Sequence, residues 1–170
     1  TINTDNLCGT VISHPHIDHY GLLHHLPRNL PVLMGAAAKR IIQAAAPFTG
    51  QTLPSLDGPC LVDRQPIELG PFHITPFLVD HSAYDAYALL VEANGKRVFY
   101  SGDFRAHGRK SKLHDRLIAN PPQGIDVLLL EGSSLSRIDT DASFPSESEL
   151  EEQLVAQLQS TKGVTLFHTS

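Results

Sequence analysis

Short apolar, β-branched runs separated by glycine, proline and polar clusters set the rhythm of this chain. Thr10-Val11-Ile12 is one such run, and Pro31-Val32-Leu33-Met34-Gly35 reads as a second short buried strand. Between them, residues 20–26 are expected to form a short helix that stops before Pro27, with His24 and His25 on its surface. Residues 36–46 are alanine-rich with apolar positions at helical spacing, and Pro47 is expected to end that helix. Residues 48–59 carry the glycine, proline and polar content of a loop.

The pattern then turns to short strands. Residues 67–81 hold two of them around a Gly70-Pro71 turn, with His73 on the solvated face. Residues 86–92 and 96–100 predict a hairpin joined by Ala93-Asn94-Gly95, in which Asn-Gly is the turn signal. Residues 125–130 read as a further buried strand. Residues 146–159 read as an amphipathic helix, with Ser146 as its cap and acidic side chains near its N-terminus. Gly163 should end that helix, and a last strand should begin at Val164. Strand pairs alternating with helices predict an α/β sandwich, with loops at the strand ends along one edge carrying the chemistry.

A chain of 170 residues, 41% hydrophobic and 18% charged, suits one domain with a substantial core. No apolar run is long enough to span a bilayer, and nothing at the start reads as a signal peptide. The chain opens at Thr1 without a methionine and ends within an apparent strand, so it is expected to be a segment of a longer protein. Cys8 and Cys60 form neither a disulfide framework nor a metal-knuckle spacing, which fits a reducing, cytoplasmic compartment. Cys8 is expected to be a small core residue. The net charge of −5 argues against a strongly basic nucleic-acid surface without excluding nucleic acid as a partner.

Ten histidines change the picture, because several fall where strands end. In Ser13-His14-Pro15-His16-Ile17-Asp18-His19, three imidazoles and a carboxylate follow directly on the first apolar run. These are the ligands that zinc and its first-row neighbours prefer. His14 and His16 are two apart, so an extended segment points both the same way. Asp18 and His19 come after the turn into a helix and could face a second ion. A two-metal centre needs more ligands, and His81 and Asp103 each end a strong apolar run. The expected arrangement places His14, His16 and His81 on one ion and Asp18 and His19 on the other. Asp103 lies between them, since a carboxylate can bridge two cations and cancel part of their repulsion. Arg105, Arg109 and Lys110 follow Asp103 and could steer a phosphate or simply form a solvated basic turn.

The motif Ser13-His14-Pro15-His16-Ile17-Asp18-His19-Tyr20-Gly21 resembles the signature of the metallo-β-lactamase fold superfamily of hydrolases. Asp80-His81-Ser82-Ala83-Tyr84 is similar to its third metal motif and Ser101-Gly102-Asp103-Phe104 to its fourth. With Gly102-Asp103-Phe104-Arg105 and Leu128-Leu129-Leu130-Glu131-Gly132-Ser133, the chain looks most like the branch that holds RNase J-type and other β-CASP RNA-processing exonucleases. The resemblance implies an αββα sandwich, here incomplete at both ends. It implies a metal-binding core over residues 1–131 and a continuation over 132–170 that could open an inserted β-CASP-like domain. Glu131 would then lie near the metals where that insertion begins. The last histidine ligand would fall beyond Ser170, with His168 as the rival candidate inside the chain.

The expectation that follows is a metal-dependent hydrolase with two divalent ions. Histidine-rich ligation favours zinc, while the carboxylates would also accept manganese or iron. Two ions about 3.5–4 Å apart would hold a hydroxide as nucleophile, with Asp18 ligating and orienting it. The expected substrate is RNA. The same centre could serve a small ester, thioester or lactone, and a scaffold that has lost its metals is the non-catalytic alternative.

Overall fold

In a computed structural model, residues 5–50, 52–132 and 144–167 are described. Strand β1 (Thr10–Val11) leads through a one-turn helix α1 (Ile17–Tyr20) to β2 (Val32–Gly35), helix α2 (Ala36–Thr49) and β3 (Cys60–Leu61). These strands form a parallel sheet in the order β1-β2-β3. Next come β4 (Ile67–Leu69), β5 (Phe72–Leu78), β6 (Tyr87–Ala93) and β7 (Lys96–Tyr100), an antiparallel run in sequence order. Helix α3 (Ser111–Ala119) crosses back so that β8 (Val127–Leu129) joins β7 in parallel, and α4 (Glu147–Ser160) follows.

The two-residue period of the strands divides their side chains among three cores. Along β2, Val32 and Met34 pack with Tyr20, Leu23 and Ile42 of the helical layer, whereas Leu33 packs with Leu61, Ile74, Tyr87 and Leu89 between the sheets. Along β6, Tyr87 and Leu89 face the first sheet, whereas Ala88 and Leu90 face Phe77, Phe99 and Leu117 of α3. The layers are therefore helix, sheet, sheet, helix: the αββα sandwich is what forms. The Asn94-Gly95 turn has both φ values positive (51° and 71°), as a two-residue hairpin loop of this hand requires.

Several elements depart from the sequence expectation. The helix expected over 20–26 is α1 ending at Tyr20 and then a single 3-10 turn at Leu23–His25, because the backbone leaves α-helical dihedrals at Leu22 (φ −88°, ψ 0°). Helix α2 passes through Pro47 to Thr49; the ring removes one backbone donor, but only the final turn follows it. The stop is Gly50, in the left-handed conformation at φ 65°. Residues 125–130 do not make a buried strand: β8 is an exposed edge that pairs with β7 alone among the described residues. Val164 begins no strand, and residues 164–167 have no regular structure. His168 lies outside the described residues. Cys8 is exposed, since it precedes the first β1–β2 pair at Thr10 and stays outside the layers. Among the described residues, no helix is long and apolar enough to cross a membrane.

Candidate metal centre

Strands β1, β5 and β7 end on the same edge of the sandwich, and each delivers part of one cluster. Ile12 is held by its N–H on the Leu33 carbonyl (2.8 Å), and Ser13 accepts the Tyr87 N–H from the facing sheet (2.9 Å). This cross-sheet bond brings the first motif against the start of β6. His16 is extended (φ −85°, ψ 143°) and its carbonyl accepts the N–H of His19 and Tyr20, so the chain turns into α1 immediately after the second histidine. Beyond β7, Gly102 sits at φ 55°, where an added Cβ would lie 2.9 Å from the Tyr87 carbonyl oxygen. Only glycine lets the Asp103 loop approach that closely.

One ligand atom from each of His14, His16, His81 and Asp103 lies within 4.8 Å of all the others. His81 Nε2 and His16 Nδ1 are 3.2 Å apart. Two tetrahedral ligands on one zinc ion would be separated by about 3.3 Å, given Zn–N bonds of about 2.0–2.1 Å. His14 is 0% exposed, and its Nδ1 is 3.1 Å from Ser13 Oγ. Its Nε2 is buried with no hydrogen-bond partner and is 3.8 Å from Asp103 Oδ2. A buried polar atom left without a partner costs free energy unless something else satisfies it. A cation among these four ligands would satisfy it, so the residues fit a divalent metal.

The remaining two predicted ligands lie to one side. His19 Nε2 is 3.5 Å from Asp103 Oδ2 and 3.5 Å from Asp18 Oδ2. The Asp18 side chain is 74% exposed and lies outside the four-residue group. Asp103 thus touches both halves, with His14 and His81 on one side and His19 on the other.

Burial drives the His14 pKa down to about 3, and the neighbouring His19, His81 and His16 add to the effect. His81 is also lowered, by burial first and then by His16. Both imidazoles are neutral near pH 7 and present lone pairs.

Asp80, Ser13 and Ser101 carry more of the site than the sequence pattern suggested. Asp80 is 0% exposed and accepts the Gly108 N–H (2.8 Å), while its carbonyl accepts the Arg105 N–H (2.7 Å). The Arg105 guanidinium lies 3.4 Å from the Asp80 carboxylate and 2.6 Å from Glu147. A Cβ at position 108 would collide with the Asp80 carboxylate, so glycine is required there too. The loop that begins at Asp103 is thereby pinned beside His81. Ser101 Oγ accepts the Glu131 N–H (2.9 Å) at the end of β8, and Glu131 is close enough to act electrostatically on His81. Nothing local distinguishes Asp80 from any other strand-end aspartate; only its adjacency to His81 hinted at a role.

An αββα sandwich that gathers three histidines and an aspartate at one edge has the architecture of a metallo-hydrolase. The chain belongs to the β-lactamase superfamily: the family model for the beta-lactamase superfamily domain matches residues 3–163. It is 25% identical over 173 residues to a ribonuclease J of Sinorhizobium meliloti, covering 97% of this chain and 30% of that protein. Among solved structures, a protein of unknown function from Enterococcus faecalis V583 is similar over 88% of this chain and 38% of its own length (TM-score 0.74, 24% identity). The subclass B3 metallo-β-lactamase MEM-A1, from a soil metagenome library, is similar over 71% of this chain and 56% of its own (TM-score 0.51, 18% identity). This chain therefore spans about a third of the length of the ribonuclease J that it matches. Members of the superfamily bind divalent metal ions, and this chain has a histidine–aspartate site able to hold one.

Proposed function

We propose that this chain forms the metal centre of a hydrolase that cleaves RNA phosphodiesters. The observation that carries the metal reading is the convergence of His14, His16, His81 and Asp103 around the unpartnered Nε2 of a fully buried histidine. The ribonuclease J relative supports the choice of RNA. His14, His16 and His81 would hold one ion and Asp18 and His19 a second, with Asp103 shared between them. Zinc suits the histidine-rich side best, with manganese or iron as the alternatives. Bound there, divalent ions supply Lewis acidity to the scissile phosphoryl group and acidify water for attack.

The chain's own residues orient that chemistry. The hydrogen bond between His14 Nδ1 and Ser13 Oγ holds the ring with Nε2 facing the cluster. Asp80 holds the Asp103 loop in place through Gly108 and Arg105. Asp18 is exposed beside His19, where it would help hold the second ion and orient the water that attacks. Residues 132–170 would continue toward an inserted β-CASP-like domain, and Glu147 and Glu151 of α4 meet the metal loop at Arg105, His107 and Arg109. Two free cysteines suit a reducing, cytoplasmic setting.

The test is metal content of the purified full-length protein beside His16→Ala and Asp103→Asn, with RNA and small-ester hydrolysis measured on each. About two equivalents per chain in the wild type, lost in the variants together with RNA cleavage, is the expected result. A folded wild type that retains no metal after dialysis overturns the hydrolase and leaves a scaffold. Cleavage of esters but not RNA overturns the substrate.

A further inference from the structure

Three basic residues follow Asp103, and the structure separates them. Arg105 is committed to Asp80 and Glu147, and Arg109 to Glu151. Lys110 pairs with no carboxylate among the described residues; its Nζ instead lies 5.5 Å from the centre of the Tyr84 ring. Tyr84 is on the connection that follows His81, and Lys110 is on the one that follows Asp103. The loops that deliver two of the four clustered side chains therefore meet again at this pair.

The setting of Tyr84 is unusual for an exposed aromatic. Its neighbours Ala83 and Ala86 are buried, at 5% and 0% exposure. The Ala86 carbonyl accepts the Val79 N–H (3.0 Å), and Asp85, in the left-handed conformation at φ 65°, accepts the N–H of Ala37 (2.8 Å) and Ala38 (3.1 Å) at the start of α2. Tyr84 is thus set between a buried Ala83 and the anchored Asp85–Ala86 segment, yet the residue is 66% exposed. A rigidly presented aromatic face with an ammonium over it matches the two chemical features of single-stranded nucleic acid, a stackable base and an adjacent phosphate.

We infer that Tyr84 and Lys110 form a nucleotide-binding platform beside the metal centre, with a base stacked on the Tyr84 ring and a phosphate paired with Lys110. The platform supplies RNA contacts to a chain of net charge −5, and it names the substrate contact of the ribonuclease reading on which it rests. A solitary surface tyrosine would need no cation and no clamped backbone.

The experiment is binding of a labelled phosphorothioate RNA octamer to the natural full-length protein, followed by anisotropy over a range of salt. Wild type, Tyr84→Ala, Tyr84→Phe, Tyr84→Trp and Lys110→Ala are compared, with bound metal measured in each. Tyr84→Ala is expected to weaken binding about tenfold at every salt concentration, and the two aromatic replacements to restore it. Lys110→Ala is expected to weaken binding and to flatten the logarithmic salt dependence by about 0.7, the share of one phosphate on a single strand. Unchanged affinity and salt slope in both alanine variants, in a wild type that binds and cleaves RNA, overturn the platform alone. A metal-loaded wild type that neither binds nor cleaves RNA overturns the ribonuclease reading and the platform together.

Discussion

The metal edge and the β8–α4 side of this molecule break the same rule in opposite directions. At the metal edge, polar groups are inside: the buried polar residues among those described are Ser13, His14, Asp80 and Ser101; His14 belongs to the cluster and the other three lie close to its members in the chain. At the β8–α4 side, apolar groups are outside: Val127 to Leu130 are each about half exposed, and Leu150, Leu154, Val155 and Leu158 line an open face of α4. Burying polar groups costs free energy; Ser13, Asp80 and Ser101 recover it in hydrogen bonds, and the His14 Nε2 is left for a cation to satisfy. Exposing a parallel strand is equally unusual, since such strands are normally covered on both faces. One departure lies at the clustered ligand-type side chains, the other on the outer side of the second sheet.

The largest effect is expected from His14. Replacement by Leu fills the space without an unpartnered nitrogen, so metal content should fall and hydrolysis should drop more than about a hundredfold. The same variant, stripped of metal, should melt no lower than the metal-free wild type in a calorimetric scan. A loss of stability in the metal-free state would mean that His14 is structural.

The next contrast uses one residue type in both regions. Leu33 in β2 is 1% exposed and Leu129 in β8 is 52% exposed. Leu33→Ala should cost about 2–5 kcal/mol in urea denaturation, and Leu129→Ala less than about 0.5 kcal/mol. Equal costs would show that β8 is covered in solution.

Asp80→Ala comes third. Removing a fully buried carboxylate strands the Gly108 N–H and half of the Arg105 guanidinium. Because Arg105 keeps Glu147, the cost should sit near the lower end for a broken buried pair, about 3 kcal/mol, with reduced metal affinity in the same sample.

The smallest effect concerns the hinge between the two regions. The Arg109 N–H and then Arg105 hold Glu147 below the ordinary glutamate value of 4.5. A depressed carboxylate stabilises above its unfolded pKa and loses that contribution as pH falls through the folded one. Amide exchange in α4 should therefore accelerate relative to the core once the pH drops below about 4.5, by less than about 1 kcal/mol of protection. Glu147→Gln should remove that dependence; an α4 that exchanges identically at pH 6 and pH 4 would place its anchor elsewhere.

Elements with strong local signals were legible from the sequence. The alternation in residues 67–100 and the Asn94-Gly95 turn define β4 to β7, and Ser146 with Glu149 forms the reciprocal cap that starts α4. Where a long-range partner decides, the sequence misled. Residues 125–130 look like a buried strand because periodicity reports apolar character and not what lies opposite. Pro47 resembles a stop, but the stronger local signal is Gly50, three residues on, which takes the left-handed cap.

The candidate site divides along the same line. By itself the sequence offered candidate ligands, because His14, His16, Asp18 and His19 are dense within one motif and imidazole and carboxylate are groups that first-row metals prefer. The family was readable from the same residues. Only the tertiary structure decided that His81 and Asp103 join His14 and His16 while Asp18 stays exposed at the rim. It alone gave Asp80 its role, tied Arg105 and Arg109 into ion pairs, and left Lys110 over Tyr84. The reason is physical. Ligand type is a property of one residue, but convergence depends on which strand ends share an edge, and that is set by packing among residues distant in the chain.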